Sequence, residues 1–237
     1  MSETFQERLD AVNRRIASAC ARAGRAVDEV RLVAVSKKHG PDRVREAAEC
    51  GVTIFGENRV QEAGVKIPMC PGRLTWHLVG HLQSNKARPA ARLFDMIHSI
   101  DSLKLLEAVE RGCQDEGKRM PVCIEVNVSG ESSKFGLPPE KVPELLSASD
   151  RLQNVQIAGL MTMPPLTEDA EKARTHFRRL RELRDAWCAE TGLPLAELSM
   201  GMSHDFEIAI EEGATLIRVA TALFGEKNKD LQKIMLR

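Results

Sequence analysis

Lys37 stands just past a short apolar run, Leu32-Val-Ala-Val35, with Ser36 between them. A lysine beside the apolar walls of a buried strand end is partly desolvated, which favours its neutral amine. A neutral lysine amine is a nucleophile and forms an imine with a carbonyl compound. Lys38 follows directly. Strand alternation turns neighbouring residues to opposite faces, so only one of the two can look into the fold. A second set of residues suits an anion. Ser199-Met-Gly-Met-Ser203 offers Gly201 for close backbone approach and a hydroxyl at a helix start, where Ser203 also serves as the cap. Arg218-Val-Ala-Thr221-Ala-Leu-Phe-Gly225 adds a cation, a hydroxyl and backbone N–H groups. These are the parts of a phosphate cup.

The elements that must position these groups alternate strand and helix. Phe5, Leu9, Val12, Ile16 and Cys20 recur at helical spacing, which predicts a first helix over 4–23 that stops at Gly24. Strands are then expected at 32–36, 53–55, 75–79, 96–100, 122–128, 155–161, 198–200 and 215–219. Helices are expected after each. Pro41 begins one, Asp101 or Ser102 caps another, and Pro138 or Pro139 opens a third. Thr167 caps a long helix whose apolar face is Ala170, Ala173, Phe177, Leu180, Leu183 and Trp187, and Ser203 caps a helix over 205–212. Eight such units imply the α/β class with a parallel sheet, closed into a (β/α)8 TIM barrel with an extra N-terminal helix. An open doubly wound sheet would usually carry a Gly-rich loop after strand one, and none is present. With no linker, residues 1–237 read as a single domain. Barrels place chemistry at the carboxyl ends of their strands. The polar residues expected there are Lys37, Asn58, His81 with Gln83 and Asn85, Asn127 with Ser129, Thr162, Ser203, Arg218 and Thr221.

Composition narrows the function classes. The 34 basic and 34 acidic residues balance, which argues against electrostatic binding to nucleic acid or membrane. No apolar run reaches the roughly 18 residues of a membrane span, and the N-terminus lacks the basic start and apolar core of a signal peptide. The six cysteines have no CxxC spacing, so free thiols in a reducing cytosol are expected, with neither disulfides nor a metal site. There is no tyrosine.

A strand-one lysine, a strand-eight arginine and a phosphate cup together suggest pyridoxal 5'-phosphate (PLP). Lys37 would hold the aldehyde as a Schiff base, the amides near Thr221 and the Ser203 hydroxyl would hold the phosphate, and Arg218 would face the ring nitrogen. An arginine cannot take the part of a proton-sharing acid there, so the ring would be a weaker electron sink. The blocks Leu32-Val-Ala-Val-Ser-Lys37, Phe55-Gly-Glu-Asn58, His77-Leu-Val-Gly-His-Leu-Gln-Ser-Asn-Lys86, Gly159-Leu-Met-Thr-Met163, Ser199–Ser203 and Arg218–Gly225 resemble, in this order, the YggS/PROSC family of PLP-binding proteins, also called pyridoxal phosphate homeostasis proteins. The resemblance covers nearly the whole chain. It implies a cytoplasmic barrel similar to the N-terminal domain of alanine racemase, PLP on Lys37, no catalytic residues, and a role in vitamin B6 homeostasis. It also implies that Met200, Ser203, Ala220 and Thr221 lie at the phosphate, Arg218 at the ring nitrogen, and Asn58 on the cofactor side of strand two. The chain departs from the family pattern at Lys38-His-Gly40, where the family often has Thr-Lys-Pro. It departs again at Arg59, where tyrosine is usual, and at Ala220, where glycine is usual.

Besides a plain phosphate-ligand-binding barrel that uses Lys37 as a point charge, two functional classes compete. One is a non-catalytic PLP carrier or buffer that hands its cofactor to apo PLP-dependent enzymes. The other is a small PLP-dependent amino-acid racemase. A racemase of the alanine type uses lysine on one face and tyrosine on the other, and here only His81 or Cys123 could replace the missing tyrosine. Lys134 is a candidate for a transient second contact. No apolar surface stripe is apparent, which favours a monomer.

Overall fold

The structure, a computed structural model, describes residues 3–131, 134–165, 167 and 169–225. Ser132, Ser133 and the segment 226–237 lie outside the described residues. After helix α1 (Phe5–Ala23), strands β1 (Arg31–Val35), β2 (Ile54–Glu57), β3 (Thr75–Leu78), β4 (Met96–Ile100), β5 (Met120–Glu125), β6 (Val155–Met161), β7 (Glu197–Met202) and β8 (Leu216–Val219) form a closed parallel barrel in sequence order. The ring closes where β1 runs beside β8, with Arg31 opposite Leu216 and Ala34 opposite Val219. Helices α2 (Pro41–Glu49), α3 (Val60–Lys66), α4 (Ala87–Leu93), α5 (Leu103–Asp115), α6 (Val142–Ser147), α7 (Arg174–Thr191), α8 (Phe206–Glu211) and α9 (Thr221–Phe224) follow the strands in turn. Among the described residues, no helix is long and apolar enough to cross a membrane.

The expected N-terminal helix forms with a capping box: the Glu7 N–H donates to the Thr4 hydroxyl, and the Thr4 N–H donates to the Glu7 carboxylate at 2.7 Å. Its apolar face buries Phe5, Leu9, Val12, Ile16, Ala19 and Cys20. It lies along α8 and α9, where Arg15 makes a two-pronged bond to Glu207 and sits 4.4 Å from the Phe206 ring centre. Arg8 donates to the Leu223 carbonyl. This helix therefore braces the seam where β8 meets β1.

The barrel has two cores. Alternate strand residues such as Ala34, Phe55, Leu78, Leu198 and Met200 pack outward against the helices. Val33, Val35, Val79, Met96, Cys123, Met161 and Leu216 cluster apart from these. His77, His98, Ser199, Glu125 and Arg218 are buried polar strand residues, an unusual complement for a barrel otherwise filled with branched aliphatics.

Three local expectations are corrected. Strand β5 stops at Glu125, short of Val128, because the Asn127 side chain accepts from Ser129 and the Gly130 N–H and turns the chain into a loop. Asp169, not Thr167, caps the start of the α7 region; its carboxylate accepts from the Glu171 N–H ahead of a 3-10 turn at Ala170–Ala173. Ser203 does not cap α8; it turns toward α9 instead.

Candidate functional site

A cavity of about 610 Å³ opens at the carboxyl ends of the strands. Lys37, Asn58, Ser203, Arg218, Ala220 and Thr221 all line it. These are six of the seven residues that sequence reasoning placed at the cofactor. The seventh, Met200, is fully buried among the outward-facing core residues, and Met202 lines the cavity in its place. The resemblance had implied Met200 at the phosphate; the pairing of β7 with β8 shifts register between Ser199 and Met202, and it is Met202 that reaches the cavity wall. A second hollow of about 730 Å³ lies at the opposite end of β5 and β6, around Arg119, Asp150 and Asn154. It is larger but lies away from the end where barrels do chemistry, and it gathers no comparable set of cations.

The backbone selects Lys37 over Lys38. Lys38 adopts φ 65°, a left-handed conformation that costs a non-glycine residue about 1–2 kcal/mol. That turn leaves Lys38 exposed and Lys37 half-buried on the cavity wall. A buried ion pair holds the turn from beneath. The Lys66 ammonium, 3% exposed, donates to Glu57 Oε1 at 2.7 Å, to Glu62 Oε1 at 2.9 Å and to the Ser36 carbonyl at 2.9 Å. The Ser36 hydroxyl donates to the same Glu57 oxygen, and the Lys38 N–H donates to Glu62. The backbone groups on both sides of Lys37 are thus tied to α3. Burial pushes the Glu57 carboxyl above its ordinary range, and Lys66 opposes that shift. Sequence reasoning missed this clamp; Glu62 and Lys66 show the i, i+4 spacing of a helix pair, but nothing local marks them as buried.

Arg218 is 4% exposed and donates to Ser199 Oγ at 2.5 Å and to the Thr162 carbonyl at 3.0 Å. Ser199 Oγ lies 2.7 Å from His98 Nδ1, and His98 Nε2 lies 2.9 Å from His77 Nδ1. A guanidinium only donates, so the assignment that gives every proton a partner runs outward from it. The Ser199 hydroxyl donates to His98 Nδ1, and His98 Nε2–H donates to His77 Nδ1. Both rings must then be neutral. Burial supplies the reason, lowering His77 to about 4 and His98 well below its ordinary value, with His77 and Arg218 adding to the effect on His98. Burial also pushes Arg218 down, while Glu125 and Asp205 pull it back.

Ser203 Oγ accepts from the Ala220 N–H at 3.0 Å and the Ala222 N–H at 3.3 Å, joining the β7 and β8 loops. With two donors on its oxygen, its own proton is left to donate. Gly201 does not face the cavity as expected. It has φ +90°, and a Cβ there would lie 2.6 Å from the Ala209 Cβ, so glycine is needed to let α8 pack under the loop that carries Ser203.

Other expected groups lie elsewhere. His81 pairs with Asp101 at 3.2 Å and stacks on Phe135, outside the cavity lining. Cys123 is fully buried and its thiol is pushed up by burial. Asn127 and Ser129 organise their own loop. Gln83 and Asn85 are exposed, and Arg59 is exposed at the start of α3. Lys134 does line the cavity.

Comparison with known proteins agrees with this architecture. The family model for the alanine racemase N-terminal domain matches residues 8–228. A pyridoxal phosphate homeostasis protein of Aquifex aeolicus is 45% identical over 222 residues, spanning 93% of this chain and 97% of its own. The chain belongs to the pyridoxal phosphate homeostasis protein family. A solved member of similar fold, PipY of Synechococcus elongatus, is 42% identical without PLP, at a TM-score of 0.82 over 90% of this chain and 99% of its own. With PLP bound it is 41% identical, at a TM-score of 0.78 over 90% of this chain and 100% of its own.

Proposed function

We propose that this chain binds pyridoxal 5'-phosphate as a Schiff base on Lys37 and serves vitamin B6 homeostasis as a non-catalytic carrier or buffer. The carrying observation is that one cavity gathers Lys37 from β1, Ser203 from the β7 loop, and Arg218 and Thr221 from β8. Each matches a different part of that cofactor. Lys37 suits the aldehyde, Ser203 and the Ala220–Thr221 backbone suit the phosphate, and Arg218 and Asn58 suit the ring edges. When bound, the cofactor supplies a reactive aldehyde. What the protein contributes is the fixed amine, the guanidinium held by Ser199 and Thr162, and the hydroxyl of Ser203. The PLP-bound PipY structure supports the cofactor reading, and the relatives' names support the homeostatic one. On this reading the protein is a cytoplasmic monomer that passes PLP to apo-enzymes. Neither group considered as a second racemase base lines the cavity, which favours the carrier.

The test is the near-visible absorption spectrum of wild type and Lys37→Ala with added PLP, followed by borohydride reduction and peptide mapping. A yellow wild type labelled on Lys37, a variant without that label, and no loss of optical rotation from added L-alanine are expected. A wild type that cannot be loaded with PLP overturns the reading.

A further inference from the structure

Glu125 ends β5 and lines the cavity, yet it is only 2% exposed, and among the described residues its Oε2 has no hydrogen-bond partner. A buried polar atom without a partner is rare and destabilising unless something else completes it. It is also the only carboxylate among the described residues lining a cavity that holds Lys37, Lys134 and Arg218. Among the described residues neither Lys134 nor Arg218 forms an ion pair with it, and Oε2 itself is left without a hydrogen-bond donor. Oε2 is therefore a polar atom on the cavity wall that a ligand group can complete.

The ligand group follows from the parts already assigned, so this step rests on the PLP reading above. The aldehyde is taken by Lys37, the phosphate by Ser203 and the Ala220–Thr221 backbone, and the ring nitrogen by Arg218. The polar atom that remains is the phenolic oxygen, an anion when deprotonated. In an eight-stranded ring, β5 stands across from β1 and away from the β7–β8 phosphate side. We propose that Glu125 is a ligand-contacting residue whose neutral carboxyl donates a hydrogen bond to the phenolic oxygen of bound PLP, and whose ionised form repels that oxygen and promotes release. A carrier gains from such a contact a grip that loosens as pH rises.

The surrounding charges agree with a carboxyl poised to switch. Burial, helped by Asp101 just past β4 and opposed by Arg218 from β8, raises Glu125 to about 7. Asp101 is itself paired with His81, and Lys37, Lys134, His39 and His204 line the same cavity. Below about 7 the group is neutral and donates. Above it the group is a carboxylate that can only accept, facing an anionic oxygen.

The experiment compares wild type with Glu125→Gln, which keeps the shape and a donor but cannot ionise. Dissociation constants are measured at pH 6 and pH 8 for PLP and for its 3-deoxy analogue, which lacks the phenolic oxygen. If only the neutral form binds well, the competent fraction falls from about nine-tenths to about one-tenth, so wild-type affinity for PLP should drop about tenfold relative to Glu125→Gln. For the 3-deoxy analogue the ratio of wild type to variant should not change with pH. A pH-independent ratio for PLP, or an equal drop for both probes, overturns the proposal. Should Glu125→Gln not fold, the same contrast is read in wild type alone, as a tenfold loss for PLP relative to the analogue. Borohydride labelling separates the two levels. Label on Lys37 with a flat ratio refutes Glu125 alone, whereas no label on Lys37 refutes the Schiff-base reading and this proposal with it.

Discussion

Replacing Lys66 with methionine tests whether the site is held from beneath by a buried charge pair. Lys66 is 3% exposed and Glu57 is fully buried, and their contact is 2.7 Å. Removing one partner of such a pair strands the other charge and costs about 3–5 kcal/mol. In a chain of 237 residues each kcal/mol shifts the melting temperature by about 2–4 °C, so Lys66→Met should melt about 6–20 °C lower. The pH dependence carries the sharper test. Burial already raises the Glu57 carboxyl above its ordinary value, and Lys66 is the main group opposing it. Without Lys66 the carboxyl rises further. A group whose folded-state value lies above its unfolded one contributes fully below the unfolded value and loses that contribution as pH rises through the folded one. The deficit of Lys66→Met should therefore be larger at pH 8 than at pH 5.5. Glu57→Gln/Lys66→Met should recover most of the loss, since it removes the stranded charge and leaves Ser36 an acceptor. Thermal melts by circular dichroism at both pH values provide the assay. An equal deficit at the two pH values, or a double variant as unstable as the single, would refute the reasoning.

Two further outcomes follow from the geometry. Gly201→Ala meets both a φ of +90° and a 2.6 Å approach to the Ala209 Cβ, so it should lose about 2–5 kcal/mol in denaturant unfolding and weaken PLP binding by moving Ser203. His77→Leu/His98→Leu keeps the volume of the barrel interior but strands the Ser199 hydroxyl, so it should cost about 1–3 kcal/mol of stability, while PLP binding measured by titration weakens about tenfold as the Ser199 hydroxyl that accepts from Arg218 loses its own acceptor.

Much of the barrel was legible because its signals are local. Short apolar runs bounded by polar or small residues located every strand, and β4 and β6 match their expected bounds. Lys37, Asn58, Ser203 and Thr221 were legible because a polar residue just past such a run sits at the carboxyl rim, Arg218 was legible as a cation near the end of strand eight, and Ala220 came from the family resemblance alone. Glu125 carries the same signal at the end of Val122-Cys-Ile124. It was obscured because Val126 and Val128 continue an apolar alternation and made the strand look longer. That Met202 rather than Met200 lines the cavity follows a register irregularity in β7 that no local pattern announces. The supports of the site were illegible for a different reason. His98 meets Ser199 across 101 positions of sequence, and the Lys66 ammonium reaches the Ser36 carbonyl across 30. The pairing of β1 with β2 brings the second pair together, and the first meets only across the interior of the closed ring.

The supports also account for where this fold departs from an ordinary barrel. An interior of valine, isoleucine and leucine would be easier to stabilise than one with a buried arginine, two neutral histidines and an unpartnered carboxyl oxygen. The polar groups fall into two kinds. Arg218, Ser199, His98 and His77 complete one another in a single chain of hydrogen bonds, so they form a rigid base that needs no ligand to be satisfied. Lys66, Glu57 and Ser36 do the same under β1, apart from one Glu57 oxygen. Glu125 is not completed in this way on the cavity wall. A site with a satisfied base and one unsatisfied acid near neutrality is suited to hold a ligand in a fixed pose while leaving its retention adjustable. That division matches a carrier more closely than a racemase, which would need a second proton-transfer group facing the substrate α-carbon from the side opposite Lys37. The histidine and thiol considered for that part are engaged with Asp101 and Phe135 in one case and sealed in the barrel interior in the other.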